Sequence, residues 1–250
     1  MDGGMIQLRQ GDCLELMRGI PDGSVDMVLC DLPYGTTRNR WDTVIPFGPL
    51  WEQYHRIVRP DGAVCLFAQM PFAAALVMSN PREFRYEWVW QKSNKTGFLN
   101  AKRRPLREHE TILVFSRRTP VYHPQMVRGT EHSRKPGALS ANYGKFHSVP
   151  SESDLYYPGD VIRFRGVLHT PDRNLHPTQK PVALLEYLIK TYTEAGETVL
   201  DNCMGSGSAG VACVHTGRRF IGIELEPEYF AVAENRIGAA RQQIRIEEEA

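Results

Sequence analysis

The sequence predicts an α/β fold in which a doubly wound, mostly parallel sheet carries helices on both faces. Short apolar runs alternate with helical segments along most of the 250 residues. The apolar runs contain few polar residues, which is typical of strands buried on both faces. Strand and helix alternation of this kind builds parallel sheets. A hydrophobic content of 42% and a charged content of 24% fit a globular protein with a sizeable core.

Five strands and four helices are predicted from these runs. The strands are "VDMVLC", "AVCLFA", "ETILVF", "ETVL" and "RFIGIE". The helices are "PLWEQYHRIV", "PFAAALVMSN", "PVALLEYLIKTY" and "SAGVACVHTG". Pro181 suits a first helical turn, because the N–H group that proline lacks has no partner there, and Gly217 is a typical helix stop.

The segment from residue 119 to 170 interrupts the alternation. It is rich in proline, glycine, histidine, tyrosine and serine and has little periodicity, so we expect loops or short irregular strands. Long irregular segments inside compact domains are usually functional or disordered. The chain is therefore divided into residues 1–118, an insert at 119–170, and residues 171–250.

Several protein classes are disfavoured by composition. No apolar run approaches the roughly 18 residues of a membrane span, and the start "MDGGMIQLRQGDC" lacks the basic and then apolar order of a signal peptide. The five cysteines form no C-x-x-C pair, which suits a reducing compartment, and the eight histidines show no metal-ligand spacing. We therefore expect a cytoplasmic protein without a metal.

Charge is unevenly distributed along the chain. The net charge is +1, yet the segment from Lys92 to Lys135 holds eleven basic residues against three acidic ones, a local charge of +8. From Glu224 onward the tail carries seven glutamates against three arginines, or −4. The basic block is either a solvated face or the binding site of a polyanion such as DNA.

The stretch "ETVLDNCMGSGSAGVACVHTGRRFIGIE" predicts a site for an adenosine-containing ligand. A strand runs into Asp201, a turn containing Gly205 and Gly207 opens a helix, and the next strand ends at Glu224. Glycines let a ligand approach the backbone, the helix start supplies free N–H groups, and an acid at the next strand end can accept ribose hydroxyls. The alternative is that the glycines only permit a tight turn.

The chemistry of the ligand follows from Asp201. Gly205, Gly207 and Gly210 match the G-x-G-x-x-G spacing of dinucleotide sites. A carboxylate before the glycines would repel a pyrophosphate, however, and suits a cationic sulfonium or ammonium group instead. The pattern favours S-adenosylmethionine.

Four segments together resemble the DNA amino-methyltransferases of the permuted beta class, which occur in restriction-modification systems, phages and orphan bacterial methylases. "DLPY" resembles the catalytic D-P-P-Y tetrapeptide, and "DNCMGSGSAG" resembles the D-P-F-x-G-S-G-T cofactor loop about 170 residues later. "HPTQKPVALLEYLI" and "PLREHETILVF" match two further family segments. The resemblance implies a seven-stranded Rossmann-like sheet, a catalytic half at residues 1–118, a target-recognition insert at 119–170, and a cofactor half at 171–250.

The resemblance also implies a role for each residue of the tetrapeptide. The target amine is a poor nucleophile, because its lone pair is delocalised into the base ring. Asp31 and the carbonyl of Leu32 would accept its hydrogen bonds, Pro33 would fix the turn, and Tyr34 would stack on a base flipped out of double-stranded DNA. Leu32 replaces the usual proline, and no covalent nucleophile is needed, so Cys30 fits a buried strand residue better than an attacking thiol.

Further site residues are expected on the same grounds. Cofactor contacts are expected from Asp12, Cys30, Thr178, Lys180, Asp201, Cys203, Gly205, Ser206, Gly207 and Glu224. DNA contacts are expected from Arg38, Lys102, Arg103, Arg104 and Arg107. Asp12 is either a contact to the cofactor adenine or a helix N-cap, and Lys180 is either near the methionine end of the cofactor or an exposed charge. Cys203 stands where the family has phenylalanine.

Four residues have other expected roles. His109 and Glu110 fit a structural role as well as a functional one. Trp88 and Trp90 alternate as in a strand and fit core or rim packing better than base stacking.

Several activities remain open at this point. An aspartate-first tetrapeptide favours adenine N6 as the target, and cytosine N4 is the alternative. RNA or protein-glutamine methylation usually goes with the cofactor loop first, which this chain does not have. A non-catalytic DNA-binding module would not need Asp31, Tyr34 and Glu224 together. The class commonly forms homodimers, and a bacterial or phage context is expected.

Overall fold

The computed structural model describes residues 6–36, 42–134, 151–166 and 179–249. The chain forms two compact units, of which the larger comprises Met1–His123 and Asp160–Ala250, and the smaller Pro124–Gly159. In the smaller unit, strands β6 (Val127–Arg134) and β7 (Ser151–Tyr156) form an antiparallel pair. Both strands fall within the range for which the sequence predicts an irregular insert.

The larger unit contains a sheet with eight strands among the described residues, in the order β1-β10-β9-β2-β3-β5-β4-β8. Its strands are β1 (Ile6–Gln10), β2 (Val25–Cys30), β3 (Val58–Ala68), β4 (Phe84–Thr96), β5 (Arg107–Phe115), β8 (Val161–Phe164), β9 (Thr198–Asp201) and β10 (Arg219–Glu224). Its helices are α1 (Cys13–Met17), α2 (Phe47–Ile57), α3 (Phe72–Ser79), α4 (Val182–Tyr192), α5 (Ser208–Thr216) and α6 (Pro227–Glu249), with a 3-10 helix at Phe98–Asn100. Among these, no helix combines the length and apolarity needed to cross a membrane.

The predicted mostly parallel sheet is confirmed. Strands β1, β10, β9, β2 and β3 pair in parallel. Strand β5 runs antiparallel to both β3 and β4. The sheet has eight strands rather than the expected seven, because the four-residue strand β8 pairs with β4 at the edge. A strand of that length in a segment without periodicity leaves no pattern in the sequence.

Helices cover both faces of the sheet, as predicted. Along β3, Ala63, Cys65 and Phe67 pack in the cluster that holds the buried residues of α4, α5 and α6. The alternate residues Leu66 and Ala68 pack in the cluster of α1, α2 and α3. Since successive side chains of a strand point to opposite faces, both sets must be apolar. Each fully buried Leu or Phe contributes about 1.5–3 kcal/mol to folding.

The two tryptophans of β4 belong to this core. Trp88 and Trp90 are both buried, and the Trp88 indole N–H donates to the Tyr192 hydroxyl at 2.6 Å. The prediction that they pack rather than stack on a base is confirmed by their burial.

Candidate active site

A cavity of about 480 Å³ opens at the carboxyl ends of β2 and β9. These strands are neighbours, and the chain leaves β2 toward β3 but leaves β9 toward β10, so the strand order reverses between them. Ligands of open α/β sheets bind in the crevice at such a reversal. The cavity wall includes Gly11, Asp12, Asp31, Leu32, Pro33, Tyr34, Gln179, Lys180, Asp201, Cys203, Gly205, Ser206 and Glu224.

Asp31 stands immediately after β2 and is held by two side chains. The Tyr34 hydroxyl donates to Asp31 Oδ1 at 2.6 Å, and the Lys180 ammonium forms an ion pair with Oδ2. Burial, and then the charge of Asp31, raise the pKa of Tyr34, so its hydroxyl stays protonated as a donor. The Tyr34 ring packs against Phe72, with 5.0 Å between ring centroids. The carboxylate and the ring are therefore fixed together in the cavity wall.

The loop after the tetrapeptide is closed by Asp42, a residue that sequence reasoning missed. Its two carboxylate oxygens accept the backbone N–H groups of Gly35 at 2.8 Å and Thr36 at 2.9 Å. Gly35 has a φ of +68°, which favours glycine at this turn. The buried Asp42 thus anchors the backbone that follows Tyr34.

Lys180 is buried, which excludes the alternative of an exposed charge. Besides Asp31, its ammonium lies 3.3 Å from Glu110 Oε2. Glu110 also pairs with Lys92 and accepts the Gln69 amide at 3.0 Å. The four charges, two carboxylates and two ammonium groups, form one alternating chain from Asp31 into the sheet.

The alternation of negative and positive groups offsets the desolvation cost of burying these charges. Burial lowers the pKa of Lys180, but Asp31 and Glu110 raise it by more, so the net direction is upward. Burial raises the pKa of Glu110, but Lys180 and Lys92 lower it by more. Lys180 and Glu110 are therefore both held in their charged forms. The sequence left the role of Glu110 open, and its place beside Lys180 was visible only in the fold.

Asp12 and Glu224 both line the cavity, and the Gly11 N–H donates to the Glu224 carbonyl at 2.9 Å. Asp12 Oδ1 accepts the N–H groups of Leu14 at 2.8 Å and Glu15 at 3.1 Å, so Asp12 caps α1 and also lines the cavity. The Glu224 carboxylate accepts the N–H groups of Gly205 at 2.8 Å and Glu226 at 2.9 Å. These bonds orient the acid while leaving further lone pairs for a ligand.

Asp201 ends β9 at the base of the cavity. Burial raises the pKa of Asp201 to about 7. The Cys203 N–H, which donates to Oδ1 at 3.1 Å, acts in the opposite direction and lowers this pKa. The negative charges of Asp31 and Glu224 add to the increase. A cationic ligand would favour the ionised form of Asp201, and the three acids together make the cavity attractive to positive charge.

Two of the residues predicted to contact the cofactor, Cys30 and Gly207, do not line the cavity, and their cofactor roles stay predictions. Cys30 is not part of the cavity wall, because it points to the opposite face of β2 from Leu29 and packs in the cluster of α1, α2 and α3. Gly207 is not part of it either. It begins α5 with a φ of +77°, and a Cβ there would lie 2.8 Å from the Cβ of Ala233. Gly207 therefore allows a sharp turn and the close approach of α6.

The remaining predicted residues divide into two groups. Lys102, Arg103, Arg104 and Arg107 are exposed, and the first three lie in the connection between β4 and β5, whereas Arg107 begins β5 and donates to the Gln69 side chain. Arg38 and Thr178 lie outside the described residues. In the described part of the chain, no group of three or more His, Cys, Asp or Glu side chains is placed to hold a metal ion.

Sequence comparison gives a consistent set of similar proteins. The profile of a family described as DNA methylase, N6_N4_Mtase, matches residues 25–235. The type II methyltransferase M.BglII of Bacillus subtilis is 29% identical, over 91% of this chain and 67% of its own length. The DNA adenine methyltransferase YhdJ of Escherichia coli K12 is also 29% identical, over 92% of this chain and 82% of its own length.

Solved structures agree in fold. The M1.HpyAVI–SAM complex has a TM-score of 0.63 at 25% identity, covering 93% of this chain and 99% of that one. The PvuII DNA methyltransferase, titled cytosine-N4-specific, has a TM-score of 0.68 at 17% identity, covering 96% of this chain and 92% of that one.

Proposed function

The chain belongs to the DNA methylase family, and on that premise we propose that it transfers a methyl group from S-adenosylmethionine to the N6 amine of adenine in DNA. One observation carries the proposal. Asp31 and Tyr34 stand in the wall of the same cavity as Asp201 and Glu224. An acceptor and an aromatic ring for a base thus share one cavity with acids that suit a cationic adenosine ligand.

The residues of the cavity fit S-adenosylmethionine chemically. Asp201 would face the cationic group, Glu224 would accept the ribose hydroxyls, and Asp12 would contact the adenine. All three line the cavity, as do Cys203, Gly205 and Ser206. The cofactor supplies a methyl group activated by a sulfonium. Because that methyl is already reactive, the protein contributes mainly by positioning and electrostatics.

Asp31 orients the incoming amine. Each of its oxygens already accepts one bond, from Tyr34 or Lys180, and keeps a lone pair for an amine hydrogen. With the Leu32 carbonyl as second acceptor, the amine turns its lone pair toward the methyl group. The bound cofactor would supply the methyl group to this amine, and an Asp31 oxygen is positioned to accept the proton that the amine then loses. The ion pair with Lys180 holds the Asp31 carboxylate in this position.

The choice of adenine rests on Asp31 and on a relative. Acid-first tetrapeptides favour adenine, and YhdJ is named a DNA adenine methyltransferase. The same acceptors would also hold the N4 amine of cytosine, which is the second candidate. We further propose that double-stranded DNA is the substrate, that residues 119–170 read its sequence, that Thr178 and Arg38 contribute to the cofactor and DNA sites, and that the protein acts as a homodimer in a bacterial cytoplasm.

Methyl incorporation tests the proposal. Wild type and Asp31→Ala are incubated with tritiated S-adenosylmethionine and amplified, hence unmethylated, bacterial genomic DNA. Wild type should label the DNA, while Asp31→Ala should lose at least 100-fold in rate and still bind the cofactor in calorimetry. Incorporation by Asp31→Ala within tenfold of wild type would contradict the role of Asp31.

A further inference from the structure

Two large apolar side chains lie exposed next to each other in the connection between β4 and β5. Phe98 is 76% exposed and Leu99 is 85% exposed, and both sit in the single-turn 3-10 helix of Phe98–Asn100. Gly97, at a φ of +86°, turns the chain into this helix. Single exposed apolar residues are common on protein surfaces, but a Phe-Leu pair at the tip of a loop marks an interaction site more often.

The charge around the pair indicates the partner. Between Lys95 and Arg107 the sequence contains five basic residues and no acidic one. The flanking cations Lys102, Arg103 and Arg104 are all exposed. On the other side of the tip, Lys95 is paired with Glu108 at 3.3 Å. An apolar tip followed by three exposed cations suits a nucleic acid, which presents phosphates outside and apolar base faces inside.

The loop is joined to the candidate active site by a short chain of contacts. Arg107, at the end of the loop, donates to the Gln69 side chain, and Gln69 donates to Glu110. Glu110 faces Lys180, which is paired with Asp31. Arg107 is three residues before Glu110 on β5, roughly 10 Å along the strand. Thr96, two residues before Phe98, pairs with Arg107. The base of the loop is therefore connected to the residues that would hold the flipped base.

We propose that Phe98 and Leu99 enter the DNA stack and fill the gap that the target base leaves when it is flipped out. The inference rests on the proposed methylation of a base in duplex DNA. Extrusion of a base leaves its neighbours without a stacking partner, and apolar side chains such as Phe and Leu can replace those contacts. The adjacent cations Lys102, Arg103 and Arg104 would bind the phosphates next to the gap. A second copy of this chain is the competing occupant of the pair.

The experiment compares a target base that is paired with one that has no partner in the opposite strand. Sequencing the methylated positions of treated genomic DNA defines a duplex with one target base. A second duplex carries that base opposite an abasic position, where it leaves the stack at lower cost. Single-turnover methylation is measured for wild type, Phe98→Ala/Leu99→Ala, Phe98→Leu, and Met78→Ala, an exposed apolar control on α3.

The double variant should lose at least tenfold in rate on the paired duplex and less than threefold on the abasic one. Phe98→Leu, which keeps an apolar wedge, and the Met78 control should stay within threefold of wild type on both. An equal loss of rate on both duplexes, or no loss on either, would contradict the insertion of Phe98 and Leu99 into the DNA stack. A change from dimer to monomer in sedimentation with equal losses would instead identify a subunit contact. If wild type methylates no position of the genomic DNA, the proposed function is refuted, and the insertion of Phe98 and Leu99 with it.

Discussion

Replacing Asp201 with asparagine tests the electrostatics of the cofactor cavity. Asp201 is buried, and its pKa is raised to about 7. Around neutral pH the carboxyl group is therefore divided between a neutral and an ionised form. A cationic ligand binds the ionised form better, so binding must either find Asp201 ionised or release its proton.

The size of the effect follows from the pKa. With a pKa of about 7, the ionised fraction is about 10% at pH 6 and about 90% at pH 8. The affinity for S-adenosylmethionine should therefore be about tenfold weaker at pH 6 than at pH 8, and binding at pH 7 should release about half a proton. The sign is fixed: because burial raises the pKa, affinity rises with pH through about 7 and then levels off.

Calorimetry at pH 6, 7 and 8, in two buffers with different ionisation enthalpies, measures both the affinity and the released proton. Asp201→Asn should bind more weakly than wild type at pH 8 and should lose the pH dependence. Glu228→Gln, an exposed acid at the start of α6, removes a negative charge elsewhere and should leave the pH dependence intact. A flat affinity in wild type, or an unchanged pH profile in Asp201→Asn, would refute the reasoning.

Three further predictions concern the surroundings of the site. Lys180→Met should destabilise the fold by about 3–5 kcal/mol in urea unfolding, because it leaves buried carboxylates without their shared cation; adding Glu110→Gln should recover about 1–3 kcal/mol of this, and strict additivity would contradict the pairing. Neutralising the three cations of residues 102–104 should flatten the slope of log DNA affinity against log salt by roughly one unit per lost phosphate contact. An unchanged slope would show that these three residues do not contact the DNA phosphates. Gly207→Ala should lower stability by about 1–3 kcal/mol through strain and contact with α6, with partial recovery by Ala233→Gly. Lost cofactor binding at full stability would contradict this packing role and support a direct contact between Gly207 and the cofactor.

Much of the fold could be predicted because strands covered by helices on both faces of a sheet must be apolar on both faces. Strands β2, β3, β5, β9 and β10 all show this as continuous apolar runs. Strand β4 does not, since most of its residues are at least partly exposed and only its two tryptophans suggest the alternation. Helix α6 was not predicted because its charged residues obscure any apolar stripe. Such elements are set by neighbours in the fold rather than by local pattern.

Site residues could be predicted where their position at the end of a strand is enough to bring them to the cavity. Asp31, Asp201 and Glu224 each stand at or just after a strand end, and strand ends of a parallel sheet meet at one edge. Glu110 could not be assigned this way, because its partner Lys180 is 70 residues away in sequence and meets it only through packing. The available signal was an acid placed directly before the apolar run of β5.

The chemical identity of the methylated base tests the central claim most directly. Amplified genomic DNA treated with wild type, and with Asp31→Ala, is digested to nucleosides and measured by mass spectrometry. Wild type should produce N6-methyladenine, and Asp31→Ala should produce none above the untreated DNA. A peak for N4-methylcytosine without N6-methyladenine would contradict adenine as the target, and no methylated nucleoside from wild type would contradict DNA methylation altogether.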